Sequence, residues 1–283
     1  LFHSFDIVCG IDLDTLPAAW LSSRLKGKKC FYDAHEYFPE VIEVQDRKFV
    51  KKIWLKIEQF LVPKVDVVYT VSQSIADTFS KLYNRRVEVI RNLPLYYNIE
   101  EGAIEYGILY QGALNEGRGL ESLILAMKQI DSKLIIVGDG YLKSKLEKIV
   151  LDERLSEKVF FSGFVTPEKL SKVTSKAAIG ISFLENKGRS YFFSLSNKFF
   201  DYMMAGKPQI GSNFPEYKAI NEKAVVAILL DDISPDTIAK NINNLLHNKE
   251  LYQNIKANCL KIRNEYSWEK EAIKLVEIYK HGE

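Results

Sequence analysis

The feature that most constrains this chain is an alternation repeated along its length. Short β-branched and aromatic runs are each followed by a stretch of helical periodicity. Strands are predicted over 5–9, 29–33, 65–71 and 87–90, with helices over 15–26, 49–61 and 72–82, the last with Ser72 as N-cap. After an aperiodic stretch over 91–105, containing Pro94 and Gly102, a second series begins. Its strands fall over 106–110, 133–137, 158–162, 177–183, 208–211 and 225–229. Its helices fall over 120–129, 141–150, 167–175, 197–205 and 235–246, and helices over 249–264 and 268–280 close the chain. Such alternation builds βαβ units on parallel sheets. The fold class is therefore α/β, with two doubly wound domains joined by one linker, as 283 residues allow. Ligands of such sheets bind beyond the C-terminal strand ends, and two facing domains are expected to enclose a cleft.

Composition removes several alternatives. A net charge of +2 does not suit a general nucleic-acid binder. The longest apolar run, 224–230, is far shorter than the roughly 20 residues of a membrane helix. The cysteines Cys9, Cys30 and Cys259 are odd in number and far apart, which fits neither a disulfide framework nor a zinc site and suggests a reducing compartment. Leu1 is not an initiator methionine, so the first domain is expected to be incomplete.

The turn after the first strand of the second series carries Gly112, Gly117 and Gly119 with one cation, Arg118. The spacing from Gly112 to Gly117 imitates a P-loop, but Arg118 and Gly119 stand where the lysine and the magnesium-binding hydroxyl belong. Glycines let a backbone approach an anion closely, and a guanidinium forks onto phosphate oxygens. A plain βα turn with a surface arginine is the alternative. The turn over 137–140, Val-Gly-Asp-Gly, is a weaker copy.

A second signal lies at 194–208. Ser196 is an N-cap candidate, Gly206 and Pro208 mark the helix end, and Lys198 occupies the first helical turn. A cation there opposes the helix dipole unless an anion is bound. Asp201, three residues on, shares its face, so lysine and carboxylate together suit the phosphate and sugar hydroxyls of a nucleotide. A surface ion pair is the alternative.

The run over 197–208, Asn-Lys-x-x-Asp-Tyr-x-x-x-Gly-Lys-Pro, resembles the donor-site helix of the family 4 (group 1) GT-B glycosyltransferases. Further stretches resemble that family in order: 110–120, 134–140, 159–165, 214–216 and 266–268. The resemblance implies sugar transfer from a nucleotide-diphosphate donor, UDP- or GDP-linked, with retention and without a bound metal. Arg118 then meets the diphosphate, helped by Gly112, Lys198 and the backbone of Ser196 and Asn197. Asp201 stands where a glutamate usually holds the ribose, and Phe164 and Val165 meet the base. Ala113 replaces a frequent arginine, and Phe193 the first glutamate of a frequent acidic pair. The segment 32–36, Tyr-Asp-Ala-His-Glu, resembles the family's D-x-H-E, whose histidine faces the donor sugar. That makes His35 and Glu36 the catalytic candidates, His35 being the one of four histidines (His3, His35, His247, His281) at a strand end. A structural histidine paired with Asp33 or Glu36 is the alternative.

Residues 46–65 carry six lysines and arginines against Asp46 and Glu58, with Phe49, Ile53, Trp54, Ile57, Phe60 and Leu61 read as one apolar stripe. Such a helix either packs on its own sheet or lies on an anionic membrane. The expected organisation is an acceptor-side domain over 1–95, a donor domain over 103–264 and a helix over 265–283 returning to the first domain. The expected function is transfer to a glycan or lipid-linked acceptor in bacterial surface polysaccharide synthesis, in the cytoplasm or at the inner membrane face. The alternative is a non-catalytic nucleotide-sugar-binding subunit that activates a partner transferase.

Overall fold

The structure is a computed structural model that describes residues 4–99 and 103–281. Leu1, His3 and Gly102 lie outside the described residues. In chain order the elements are β1 (Ile7–Ile11), α1 (Asp12–Lys26), β2 (Lys29–Ala34), α2 (Ile42–Gln45), α3 (Lys48–Leu61), β3 (Val67–Thr70), α4 (Gln73–Tyr83) and β4 (Glu88–Val89). There follow β5 (Tyr106–Gln111), α5 (Leu120–Ala126), β6 (Leu134–Val137), α6 (Lys143–Asp152), β7 (Val159–Gly163), α7 (Pro167–Ser175), β8 (Ala177–Ser182) and α8 (Arg189–Phe192). The remainder is α9 (Asn197–Met204), β9 (Gln209–Ser212), α10 (Pro215–Lys223), β10 (Ala227–Leu230), α11 (Pro235–His247), α12 (Lys249–Ile262) and α13 (Trp268–His281).

The chain divides into two compact units. The first takes the residues up to Asn92, the segment 186–195 and the chain from Glu269. Its sheet is parallel, in the order β1-β2-β3-β4. Leu13 and Leu16 of α1, Ile75 and Phe79 of α4 and Leu61 of α3 build its core with Tyr32 and Val68 from the strands. The helix ends follow the local chemistry: α1 stops at Gly27 (φ +61°), and the Ser72 side chain accepts the Ile75 N–H at the start of α4. Helix α13 joins this unit through the Tyr279 ring, 4.9 Å from that of Phe31, and through buried Glu271, which accepts the Arg91 N–H.

The apolar stripe predicted for residues 46–65 is only partly covered. Trp54, Ile57 and Leu61 pack inward, but Phe49 is 77% exposed, and Ile53 and Phe60 also face solvent. The neighbours of α3, chiefly α1 and α2, cover only part of the hydrophobic arc. No helix among the described residues is long and apolar enough to cross a membrane.

The second unit holds Leu93–Glu185 and Ser196–Trp268. Its parallel sheet runs β10-β9-β8-β5-β6-β7. Strand β8 is buried along its whole length, as expected for a central strand covered on both faces. Helices α2, α8 and α10 were not anticipated; the first two are single turns, and α10 is too polar and short to display a clear helical period.

Candidate functional site

In the second unit the chain leaves β5 for β6 and β7 on one side, then resumes with β8 on the other. The topological switch therefore lies between β5 and β8, where open α/β sheets bind ligands at their C-terminal ends. The turns after β5, β6 and β7 form one bonded layer there. Gly112 N–H donates to Val137 O, Leu114 N–H to Asp139 O and Gly138 N–H to Gly163 O, each at 2.9 Å. Gly138 has φ +146°, and a Cβ on it would lie 1.9 Å from the Gly112 carbonyl oxygen, so only glycine fits. The two glycine turns found in the sequence are thus parts of one construction.

Across the switch stands α9. Gly180 of β8 lets the Tyr202 ring lie flat on the strand, since a Cβ there would come 2.3 Å from it. The Tyr202 hydroxyl accepts the Gln111 N–H (3.2 Å) and donates to Leu109 O (3.0 Å). This pins α9 to the end of β5. Lys198 and Asp201, on the same helix, are thereby delivered to the Gly112 turn. Lys198 is 7% exposed, and its Nζ lies 3.8 Å from the centroid of the Tyr110 ring and 3.4 Å from where a Gly112 Cβ would stand.

The electrostatics are unbalanced. Burial holds the Lys198 pKa well below the usual lysine range, the Arg118 charge lowers it further, and Asp201 only partly opposes this. A desolvated cation–π contact contributes about 2 kcal/mol. Burying an ammonium costs several kcal/mol, so the aromatic face does not offset it. An anion beside Lys198 and Arg118 would. Burial also pushes Asp201 up to about 6, against the Gln111 hydrogen bond and the Lys198 charge.

Arg118 lies between Gly117 (φ +76°) and Gly119 (φ +65°), in a turn tied to the end of β8 by the Glu185 N–H to Gly117 O bond of 2.9 Å. Its charge reaches both Lys198 and Tyr217, and the Tyr217 hydroxyl accepts the Ser196 N–H at 3.1 Å. Gly112, Ser196, Lys198 and Asp201 are thus brought together at the end of β5, with Arg118 near enough to act on Lys198 electrostatically. Asn197 is exposed in the first turn of α9. Ser196 holds the N-cap position but makes no side-chain cap bond, a correction to its expected role that leaves the helix start open to an external acceptor. Phe164, 72% exposed, and Val165 follow Gly163 at the β7 side of the same layer. Phe193 belongs to the first unit and packs on its core.

In the first unit, His35 follows β2. Its Nε2 lies 3.1 Å from Asp33 Oδ2, and its backbone N–H donates to Asp12 Oδ1 at 3.0 Å. Asn92 Nδ2 is 3.5 Å from Nδ1. The Asp33 hydrogen bond raises the His35 pKa against burial, and Asp12 and Glu36 add to it; Glu36 itself is exposed. Asp12, Gln111 and Tyr217 escaped the sequence reading, and Tyr202 entered it only as part of the motif over 197–208. For Gln111 the available signal was a polar residue ending an otherwise apolar strand.

Comparison with known proteins decides the family. The sequence profile of the family described as Glycosyl transferases group 1 matches residues 103–261. The chain belongs to the group 1 glycosyl transferases. Two uncharacterised glycosyltransferases of Methanocaldococcus jannaschii resemble this group 1 chain. MJ1607 is 27% identical over 237 residues, covering 75% of the chain and 59% of the relative, and MJ1178 is 27% identical over 217 residues, covering 76% and 59%. The chain thus spans 59% of the length of these curated relatives. Among solved structures, Anabaena Alr3699/HepE in complex with UDP and glucose has TM-score 0.79 at 16% identity, covering 98% of this chain and 78% of that one. Sucrose-phosphate synthase from Thermosynechococcus elongatus has TM-score 0.80 at 17% identity, covering 98% and 73%. Both likenesses establish the GT-B fold for this group 1 glycosyl transferase.

Proposed function

We propose that this chain is a retaining family 4 transferase that moves a sugar from a UDP- or GDP-linked donor to a glycan or lipid-linked acceptor. The observation that carries the reading is the meeting of Lys198 and the open start of α9 at one glycine-lined turn, beside the Asp201 carboxylate and within electrostatic reach of Arg118. The complexes of HepE with UDP and with UDP-glucose support it.

The chemistry follows from charge. Breaking the anomeric C–O bond leaves negative charge on the diphosphate. Fixed cations and helix N–H groups stabilise that charge as it develops, the work a divalent ion does elsewhere. Asp201 holds the ribose, and Phe164 and Val165 border the base. His35 and Glu36 are assigned to the transfer step itself. In a front-face reaction the departing phosphate oxygen takes the acceptor proton, so retention needs no second carboxylate. The exposed Phe49, Ile53 and Phe60 among the lysines of α3 are the surface we assign to peripheral contact with an anionic inner membrane face, where a lipid-linked acceptor for surface polysaccharide would reside.

Isothermal titration with UDP and GDP tests the donor site, with binding of one and its loss in K198A expected. Release of nucleotide from a radiolabelled donor, unchanged by EDTA, tests metal-independent transfer. Binding without turnover would favour a non-catalytic subunit, and binding of neither nucleotide would reject the reading.

A further inference from the structure

The carboxylate assigned to the ribose comes from an aspartate, one methylene shorter than the glutamate common at this position. The structure places an unexpected partner behind it. Gln111 ends β5 and is 1% exposed, yet both ends of its side-chain amide are hydrogen-bonded. Its Nε2 donates to Asp201 Oδ2 at 2.8 Å, and its Oε1 accepts the Thr174 hydroxyl at 2.8 Å. Its backbone N–H donates to the Tyr202 hydroxyl, so strand end and helix are fixed to each other on both sides of the pair. Thr174 is itself fully buried, and its single hydroxyl proton has two acceptors at 2.8 Å, Gln111 Oε1 and Leu170 O. Among the described residues no protein group donates to Asp201 Oδ1.

We propose that Gln111 is a positioning residue for ribose recognition, acting through Asp201. The argument deepens the donor-site reading above and rests on it. The ionised Asp201 carboxylate can only accept, so the Gln111 amide turns its NH2 to Asp201 and its oxygen to the Thr174 hydroxyl. The amide then holds the inner carboxylate oxygen and turns the outer one toward a ligand. A charge-assisted bond of this kind also favours the ionised carboxylate in a buried setting. Lys198, Tyr97 and Tyr202 are the other titratable groups that interact electrostatically with Asp201. An apolar residue at 111 leaves the inner oxygen buried and unsatisfied, and the carboxylate takes up a proton or swings toward Lys198.

The test compares each nucleoside diphosphate with its 2′-deoxy counterpart, UDP with dUDP and GDP with dGDP, by titration calorimetry. The wild-type protein is expected to prefer the ribose form by about tenfold or more, the worth of a hydrogen bond to a charged group. Q111L is expected to bring that ratio close to one while retaining diphosphate binding, and Q111L/D201E to restore it, since the longer side chain reaches without support. Should Q111L fail to fold, T174V serves instead; it removes the hydroxyl that faces the amide oxygen and is expected to lower the ratio at least threefold. A ribose preference that disappears in D201A but persists in Q111L or T174V overturns the role of Gln111 alone. Absence of UDP and GDP binding in the wild type overturns the donor-site reading itself.

Discussion

Lys198 and Tyr110 are stacked: the ammonium sits 3.8 Å from the ring centroid, in the interior of the second unit, and among the described residues Asp201 is the charge that opposes its burial. The arrangement is costly to the unliganded fold and suited to an anion. Replacement by methionine, of similar length and no charge, is expected to raise the melting temperature of the free protein by about 2 °C per kcal/mol relieved. It is also expected to abolish the stabilisation that a nucleoside diphosphate confers. Thermal unfolding with and without UDP or GDP checks both. A K198M protein that melts lower than wild type and still responds to nucleotide contradicts the site.

Lys198 also sets a pH trend. Its folded pKa is lowered, so below the usual lysine value the unfolded chain binds more protons than the folded one. Stability therefore rises with pH between the two values, until both forms are neutral. Urea unfolding of the free protein from pH 7 to 10 is expected to show a rise that K198M lacks.

On the proposed reading, Asp201 accepts the ribose hydroxyls as a carboxylate. Burial raises its pKa from 3.8 to about 6, so affinity for the ribonucleotide is expected to be steady above pH 7 and to weaken as pH falls through 6. The deoxy nucleotide, lacking the 2′ hydroxyl, should show a shallower fall. Titrations at pH 5, 6, 7 and 8 measure the difference, and parallel curves would count against the ribose contact.

Much of this was legible in the sequence because the signals were local. Strand and helix order in the second unit follows from periodicity. The helix over 167–175 matches α7, and Ser72 caps α4. Lys198 and Asp201 were marked by their spacing. What stayed hidden depends on tertiary packing. Nothing in a linear pattern says that the hydroxyl of Tyr202 docks on β5, or that Gln111 meets Asp201 from 90 positions away. The split of the α3 hydrophobics was invisible for the same reason: a helix wheel gives an arc, and only the neighbours decide which part of it they cover. Phe193 in the core of the first unit is a further case, since the segment 186–195 leaves its sequence neighbours to pack there.

Glu58 of α3 is fully buried in the first unit, with one oxygen accepting the Tyr83 hydroxyl and the other without a partner among the described residues. Burial pushes its pKa from 4.5 to about 7. A raised carboxyl pKa means that the folded state holds its proton longer than the unfolded chain. Its contribution is complete below about pH 4.5 and is lost as pH rises through 7. E58Q is therefore expected to melt several degrees above wild type at pH 8 and close to it at pH 5. Equal melting temperatures at both values would contradict this.

Asp12 adopts φ +59°, unusual for a residue with a side chain, while its carboxylate holds the His35 N–H. D12G relieves the backbone and removes the carboxylate together. Its stability is expected to hold within about 1 kcal/mol, and turnover to fall roughly tenfold as His35 loses its support. D12N keeps an acceptor oxygen and should fall by less.

The most direct measurement is a double-mutant cycle on diphosphate recognition. Titration calorimetry would give the affinities of UDP and UMP, and of GDP and GMP, for the wild type, R118A, K198A and the double variant. If both cations grip one pyrophosphate, each single change cuts the preference for diphosphate over monophosphate, and the double variant loses less than the two losses added together. If the preference survives either change, or the losses simply add, the two side chains do not share a ligand and the account of this site is wrong.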